Sequence, residues 1–256
     1  MAVYTCYEMV ADCRANRREG WSFFARQYLP VARTLQARYF PERPPDPRAM
    51  CDGSSPLFDK PVPEREFVAR LRQHVIALAA PPEGGDPPID LDTLTGALDG
   101  FSPLERQVVW MSTMQYPAPE AAAILRMDAK TAESARERAL EALRQRVDHW
   151  SRDVLERGGR ALGAAAEAAA GERCIPARAF LDLLDGKMTW QRRTDADFHL
   201  NQCWHCVDHL CRLREVDELL RNNKPDSEES VSDVLTMLGF PPPKRRGLLG
   251  RLLVRP

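Results

Sequence analysis

Apolar residues recur at helical spacing along most of the chain, and clusters of proline separate the segments that carry this pattern. Between residues 64 and 79, for example, Phe67, Leu71 and Val75 fall on one face of a helix. We find no convincing alternation of β-branched and polar residues, the pattern of a half-buried strand. The 21 prolines outnumber the 14 glycines and lie mainly between the helical segments, which favours several small units over one large core. The sequence therefore predicts an all-α fold built from small helical modules.

Changes in composition divide the chain into five predicted parts. The stretch "PPEGGDPP" has the composition of a linker, and the alanine-rich stretch after residue 150 has that of a helix that buries little. Before the linker, the proline-rich residues 41–63 are expected to form an irregular loop. The predicted parts are a helical domain at 1–80, a second one at 89–150, a helical connector at 151–173, a compact unit at 174–223, and an amphipathic helix with a basic tail at 224–256.

Charge, hydropathy and cysteine content exclude several classes of protein. The net charge is −1, so any contact with DNA must come from a local basic patch. No run of about eighteen apolar residues is present, and the N-terminus lacks the apolar core of a signal peptide. Seven cysteines, concentrated toward the C-terminus, do not form a secreted disulfide framework. We therefore expect a cytoplasmic protein whose clustered cysteines and histidines serve metal or redox chemistry.

The stretch "FHLNQCWHC" at 198–206 holds the most informative cluster. On a helix with about 100° per residue, Cys203 lies about 40° to one side of His199 and Cys206 about 20° to the other. Three ligand-capable side chains then point one way, and Cys174 is the only upstream cysteine or histidine in the same unit. The four residues predict a Cys3His zinc site, which would stabilise a unit too small for a large core of its own.

Two other interpretations of this cluster stay open. The three side chains could be buried cysteines with a surface histidine, as cysteine is often a small apolar core residue. Alternatively, Cys203 and Cys206 form a C-x-x-C motif, which in a thiol oxidoreductase follows a strand and opens a helix. No strand is predicted nearby, so the oxidoreductase is the weaker alternative. We find no phosphate loop and no nucleophile with a positioned base, and so do not expect an enzyme or a small-molecule substrate.

The residues "CIPARAFLDLLDGKM…HLNQCWHC", within 174–214, resemble the zinc-binding anti-sigma domain of bacteria. That family has an upstream cysteine or histidine, then a leucine-rich helix, then an H-x3-C-x2-C motif. The resemblance implies a zinc cofactor and a role in regulating transcription.

A second motif precedes the zinc unit. Ser102 is a favourable N-cap, Pro103 occupies the first helical position, and Glu105 completes a capping box. Downstream, two helices joined by a tight turn at 126–129 form a helix-turn-helix pattern. In such a motif the start of the second helix enters the major groove. The predicted DNA contacts are Lys130, Thr131, Ser134 and Arg138.

The same region, Ser102–Arg144, is similar to region 4 of extracytoplasmic-function sigma factors in "SPLERQVV", "KTAES" and "RALEALR". The chain departs from that family at Arg126, where the turn usually has glycine, and at Glu133 and Ala135, which are commonly basic. The acidic side chain weakens attraction to phosphate, so a helical hairpin used only for protein contact is an alternative.

The N-terminal stretches "WSFFARQYLPVARTLQARYF" and "REFVARLRQHVIAL" resemble the first and last helices of sigma region 2. The family's acidic polymerase-binding helix is replaced between them by the proline-rich residues 41–63. The combined resemblance implies a bacterial transcription regulator that joins a sigma-like part to an anti-sigma-like part. Its expected partners are DNA and RNA polymerase core, or a sigma or anti-sigma protein. We expect the zinc unit to limit exposure of the sigma-like part; an interaction adaptor that does not bind DNA is the main alternative.

Overall fold

The structure, a computed structural model, describes residues 4–40, 42, 46–79, 89–114, 116–146 and 152–241. Every regular element in these ranges is helical, which confirms the predicted all-α fold. The helices are α1 (Cys6–Arg14), α2 (Arg18–Gln27), α3 (Leu29–Tyr39), α4 (Pro47–Met50), α5 (Glu64–Ala79), α6 (Leu91–Ala97), α7 (Pro103–Thr113), α8 (Ala118–Leu125), α9 (Ala129–Arg146), α10 (Arg152–Ala168), α11 (Ala177–Leu184), α12 (Trp190–Leu200), α13 (Trp204–Asn222) and α14 (Glu228–Met237), with a short 3-10 helix at Pro56–Phe58.

The chain divides into two compact units. Unit 1 comprises residues 1–79 together with 223–256, and unit 2 comprises residues 80–222. The predicted linker at 81–88 and most of the predicted basic tail, at 242–256, lie outside the described residues. Among the described helices, none combines the length and the apolar character needed to cross a lipid bilayer.

Aromatic side chains form the core of unit 1. The ring of Phe24 lies 5.5 Å from that of Phe58 and 6.4 Å from that of Phe67, and Trp21 meets Phe58 edge to face at 5.3 Å. Phe58 belongs to the 3-10 helix, and Met50 of α4 is also buried. The expectation that residues 41–63 form only an irregular loop is therefore wrong, because part of this stretch is helical and fills the core.

The C-terminal helix α14 completes unit 1. Asp226, just before α14, pairs with Arg33 of α3, and the Asn223 side chain donates a hydrogen bond to the carbonyl oxygen of Gln27 at 2.6 Å. The apolar face of α14 is buried against α2; it consists of Val231, Val234 and Leu235. A segment that is distant in sequence thus joins the first five helices.

Unit 2 begins with α6 to α9. The capping box at the start of α7 is present, since Ser102 accepts from the backbone N–H of Glu105 and Glu105 accepts from that of Ser102. Helices α8 and α9 pack on each other and on α7, and many of their buried residues are alanines. The turn between them begins at Arg126, whose φ of 55° lies in the left-handed region. Asp128 ends the turn and accepts a hydrogen bond from the backbone N–H of Thr131.

Helix α10 lies against α7 and α13 and is not an exposed link. A Cβ added to Gly159 would lie 2.1 Å from the carbonyl oxygen of Thr113, so the missing side chain allows the two helices to approach closely. Leu162 and Ala166 are fully buried. Over residues 159–166 this alanine-rich segment therefore buries more than its composition indicated, because small residues let its backbone pack where larger ones would not fit. Residues 167–173 are exposed, as expected of a connector.

Candidate metal centre

The four predicted ligands come together in unit 2. One ligand atom from each of Cys174, His199, Cys203 and Cys206 lies within 4.8 Å of all the others. Cys174 precedes α11, His199 lies in the last turn of α12, and the other two flank or enter the start of α13. The site therefore joins three consecutive helices, and these residues can hold a metal ion.

The sequence predicted that His199, Cys203 and Cys206 lie on one helix, but in the structure they lie on both sides of a helix break. Helix α12 ends at Leu200 and α13 begins at Trp204. The backbone N–H groups of Gln202 and Cys203 both donate to the carbonyl oxygen of His199, at 2.9 and 3.1 Å. This tight turn keeps Cys203 on the side of His199, so the predicted convergence is retained although the helix is broken.

Contacts within the cluster are close and include backbone donors. The sulfur atoms of Cys174 and Cys203 are 3.8 Å apart, and Nε2 of His199 lies 3.2 Å from Sγ of Cys206. The backbone N–H of Gly171 donates to Cys174 Sγ and that of Ile175 to Cys206 Sγ, each at 3.3 Å. Donors of this kind stabilise and orient thiolate ligands. No sequence pattern indicated them, because backbone groups are common to every residue type.

Burial shifts the pKa of His199, Cys203 and Cys206. It lowers the pKa of His199, which favours the neutral imidazole that binds metals. Burial also raises the pKa of Cys203 and of Cys206, and neighbouring thiols raise both further. A reactive thiol needs a lowered pKa, so this environment by itself does not activate the C-x-x-C pair for thiol exchange.

The other histidines and the other cysteine of this region make different contacts. Nδ1 of His205 lies 3.2 Å from the carbonyl oxygen of Ala166, and the ring of His209 stacks on Phe180. Cys211 is buried among helices of unit 2. These three residues therefore support packing around the cluster and are not members of it.

Trp204, the residue after Cys203, connects the cluster to the helices that precede it. Its ring stacks on Trp110 of α7 with 5.2 Å between centroids, and its Nε1 donates to Thr95 Oγ1 at 2.9 Å. Trp110 in turn donates from Nε1 to Oδ1 of Asp208 in α13, at 3.0 Å. No spacing in the sequence predicts this connection; a tryptophan between two predicted ligands is the available signal.

The predicted DNA contacts lie on the exposed face of α9. Lys130, Thr131, Ser134 and Arg138 are all exposed to solvent. Arg138 also pairs with Glu105 at 2.9 Å and lies over the ring of Phe101, so binding of a phosphate would compete with these contacts. Glu133 pairs with Arg136 one turn away, at 3.7 Å. This face of α9 thus carries charges of both signs.

Comparisons of the chain with known protein families, curated proteins and solved structures find no match. The strongest indication of function is therefore the geometry of the Cys3His cluster and its packing against α7.

Proposed function

We propose that the chain is a zinc-dependent transcription regulator in which a structural zinc site supports the helices that present α9 to DNA. The observation that carries this proposal is the convergence of three cysteine sulfurs and one imidazole nitrogen. This donor set is typical of structural zinc, and four protein ligands leave no open position for catalysis.

The spacing of the sulfur atoms supports zinc. A tetrahedron with metal–sulfur distances of about 2.3 Å places neighbouring sulfurs about 3.8 Å apart, and the sulfurs of Cys174 and Cys203 are 3.8 Å apart. When bound, zinc would tie the turn before α11 to the junction of α12 and α13. Its binding free energy then stabilises the folded segment, because the unfolded chain does not hold the ligands together.

The contacts of α13 suggest that the zinc segment supports the preceding helices. The main packing partners of α13 are α7, α8 and α10, and the predicted DNA-contacting residues of α9 stay exposed. We therefore favour support over the inhibition expected from the sequence. A chain truncated near residue 150 lacks Trp204 and Asp208, which contact Trp110 in the intact protein. We expect this shorter chain to bind DNA more weakly than the intact protein.

Binding to DNA is proposed from the exposed start of α9 and the resemblance to sigma region 4. Lys130 and Arg138 supply positive charge, whereas Glu133 opposes it. Charge on this face governs attraction to phosphate. RNA polymerase core is the proposed protein partner on the same resemblance.

Metal analysis and DNA binding test the two halves of the proposal. The intact protein should contain about one zinc per chain, by the four-ligand argument above. In mobility-shift assays at low salt, Glu133→Lys should strengthen DNA binding, because it replaces a repelled charge with one that attracts phosphate. The matched control is Glu229→Lys, which makes the same charge change at an exposed position of α14. Equal gains in both variants, or none in Glu133→Lys, would show that α9 does not lie on DNA.

A protein-interaction adaptor is the second candidate, and two exposed aromatic side chains favour it. Trp190 and Phe198 of α12 are 79% and 67% exposed. They are eight residues apart, so they lie about 80° apart around the helix. If the adaptor is correct, the protein should bind RNA polymerase core or a sigma factor without DNA, and Trp190→Ser with Phe198→Ser should abolish that binding while zinc content is unchanged.

A further inference from the structure

A small pocket of about 110 Å³ lies between the α8–α9 turn and helices α11 to α13, within unit 2. Three arginines and one aspartate line it: Arg126, Arg193, Arg214 and Asp217. Three positive charges against one negative charge leave an excess of positive charge at the pocket. Isoleucine and leucine side chains form the rest of its wall. None of these residues belongs to the metal cluster.

Arg214 is held in this pocket at a cost. Its Nε atom is buried and has no hydrogen-bond partner, although buried polar groups in proteins are nearly always paired. Burial is the main reason that its pKa is lowered, and the charges of Arg126 and Arg193 lower it further. Like charges gathered around a buried guanidinium are stabilised when an anion joins them.

Arg126 enters the pocket from a strained backbone. Its φ of 55° lies in the left-handed region, which residues other than glycine, asparagine and aspartate rarely occupy. Strained residues of this kind cluster at ligand-binding and catalytic sites. Here the arginine brings a third guanidinium to the pocket, and a glycine at the same turn would bring none.

The geometry points to a binding site for a small ligand that carries a phosphoryl group. A volume of about 110 Å³ is several times the space that one water needs, and guanidinium groups match phosphate oxygens with paired hydrogen bonds. The isoleucine and leucine side chains of the wall offer an apolar surface to a short organic group attached to the phosphate. A bound ligand would join the α8–α9 turn to the segment that carries the metal cluster. This inference depends on neither the proposed zinc nor the proposed DNA binding.

Calorimetry and thermal unfolding of the intact protein, with its metal content unaltered, test the site. The probes are inorganic phosphate and phenyl phosphate, each compared with sodium chloride at equal ionic strength. We expect saturable binding and a higher Tm with phosphate than with chloride, because a ligand that binds only the folded state stabilises it. Tighter binding of phenyl phosphate would identify a phosphate ester as the ligand, whereas equal binding would identify free phosphate.

Two variants and one control locate the binding. Arg193→Gln and Arg126→Gly should each weaken binding about tenfold or more, as a charge-assisted hydrogen bond is lost. Arg192→Gln removes an exposed charge from the residue that precedes Arg193 in α12. Arg192 does not line the pocket, so this variant should bind as the parent does. Equal Tm in phosphate and chloride, or equal weakening in all three variants, would overturn the site. A third result would also overturn the site: neither phosphate probe binds, and Arg193→Gln loses binding to short duplex DNA. The arginines would then belong to a DNA-binding surface.

Discussion

Buried cysteines occur in both units, but burial alone does not determine which of them can hold a metal. Cys6, Cys13 and Cys51 are all buried in unit 1, and burial raises the pKa of Cys6 to about 11 and that of Cys51 to about 12. Within the described residues, the groups that converge well enough to hold a metal all lie in unit 2. Buried thiols that do not converge with other ligand groups pack as small side chains with weak hydrogen bonds; Cys13 of unit 1, for example, donates to Met9 Sδ at 3.7 Å.

The cores of the two units differ in the size of the side chains that fill them. Unit 1 has aromatic rings in mutual contact, including Trp21, Phe24 and Phe67, and such side chains bury large apolar areas. In α8 and α9 of unit 2, by contrast, many of the buried residues are alanines. Each of these buries little area and contributes little hydrophobic free energy. A metal cross-link would offset this smaller contribution.

Loss of the metal should have the largest effect, and only on unit 2. Cys203→Ser, or a strong chelator, should release the metal and unfold α11 to α13, because zinc contributes about 10–16 kcal/mol in small zinc domains. Metal analysis and hydrogen exchange of α2 and α11–α13 measure the two effects. The controls are Cys13→Ala and Cys211→Ser, which remove buried thiols that are not ligands. Equal metal loss in Cys211→Ser and Cys203→Ser would contradict the ligand assignment.

Removal of one large aromatic residue from each unit should destabilise both units but affect the metal in one. Phe24→Ala in unit 1 and Trp204→Ala in unit 2 should each lower the free energy of unfolding by about 3–5 kcal/mol. Only Trp204→Ala should also release metal at a lower chelator concentration, since Trp204 lies between two ligands and stacks on Trp110. Denaturation with parallel metal release measures this. If Phe24→Ala loses metal as readily as Trp204→Ala does, then metal retention depends on the stability of both units and not on unit 2 alone.

A buried hydrogen bond in unit 2 should matter more than an exposed ion pair in unit 1. Asp208→Ala leaves the buried Nε1 of Trp110 without its acceptor, and we expect a loss of about 1–3 kcal/mol. Glu228→Ala breaks an ion pair with Arg26 in which the glutamate is 80% exposed, and exposed pairs contribute about 0–1 kcal/mol. The two variants are compared by their midpoints of denaturant unfolding, provided that the slope of unfolding free energy against denaturant concentration is unchanged. Equal losses would mean that Asp208 is not needed by Trp110.

Local patterns in the sequence predicted the ligands of the cluster but not the packing around them. Spacings of four and three residues bring His199, Cys203 and Cys206 to one side even across the turn between α12 and α13. Helical periodicity also predicted an amphipathic helix within 224–256, yet this pattern contains no information on which helix α14 contacts. Pairing of distant segments, such as Asp226 with Arg33, depends on tertiary geometry that one amphipathic pattern does not specify.

Two further features were missed because they depend on space and not on residue pattern. Glycine is unfavourable within a helix by propensity, whereas the missing Cβ of Gly159 allows α10 to approach Thr113 closely. Arg126 was interpreted as a departure from a family's glycine, whereas its side chain lines a pocket with two other arginines. Those arginines are distant in sequence, so no spacing could have grouped them.

The smallest expected effect compares the two residues other than glycine that have positive φ in the described chain, Asn16 of unit 1 and Arg126 of unit 2. A left-handed conformation costs about 1–2 kcal/mol for most L-residues, while glycine gains freedom in the unfolded chain that offsets about 0.5–1 kcal/mol of the relief. Arg126→Gly should therefore raise the free energy of unfolding by about 0–1.5 kcal/mol. Asn16→Gly should lower it by about 1 kcal/mol, because asparagine tolerates this conformation and Asn16 Oδ1 accepts a hydrogen bond from Trp21 Nε1 at 3.0 Å. Chemical denaturation without phosphate measures both variants. If Arg126→Gly is less stable than the parent, the contacts of the arginine side chain stabilise the turn by more than the left-handed backbone destabilises it.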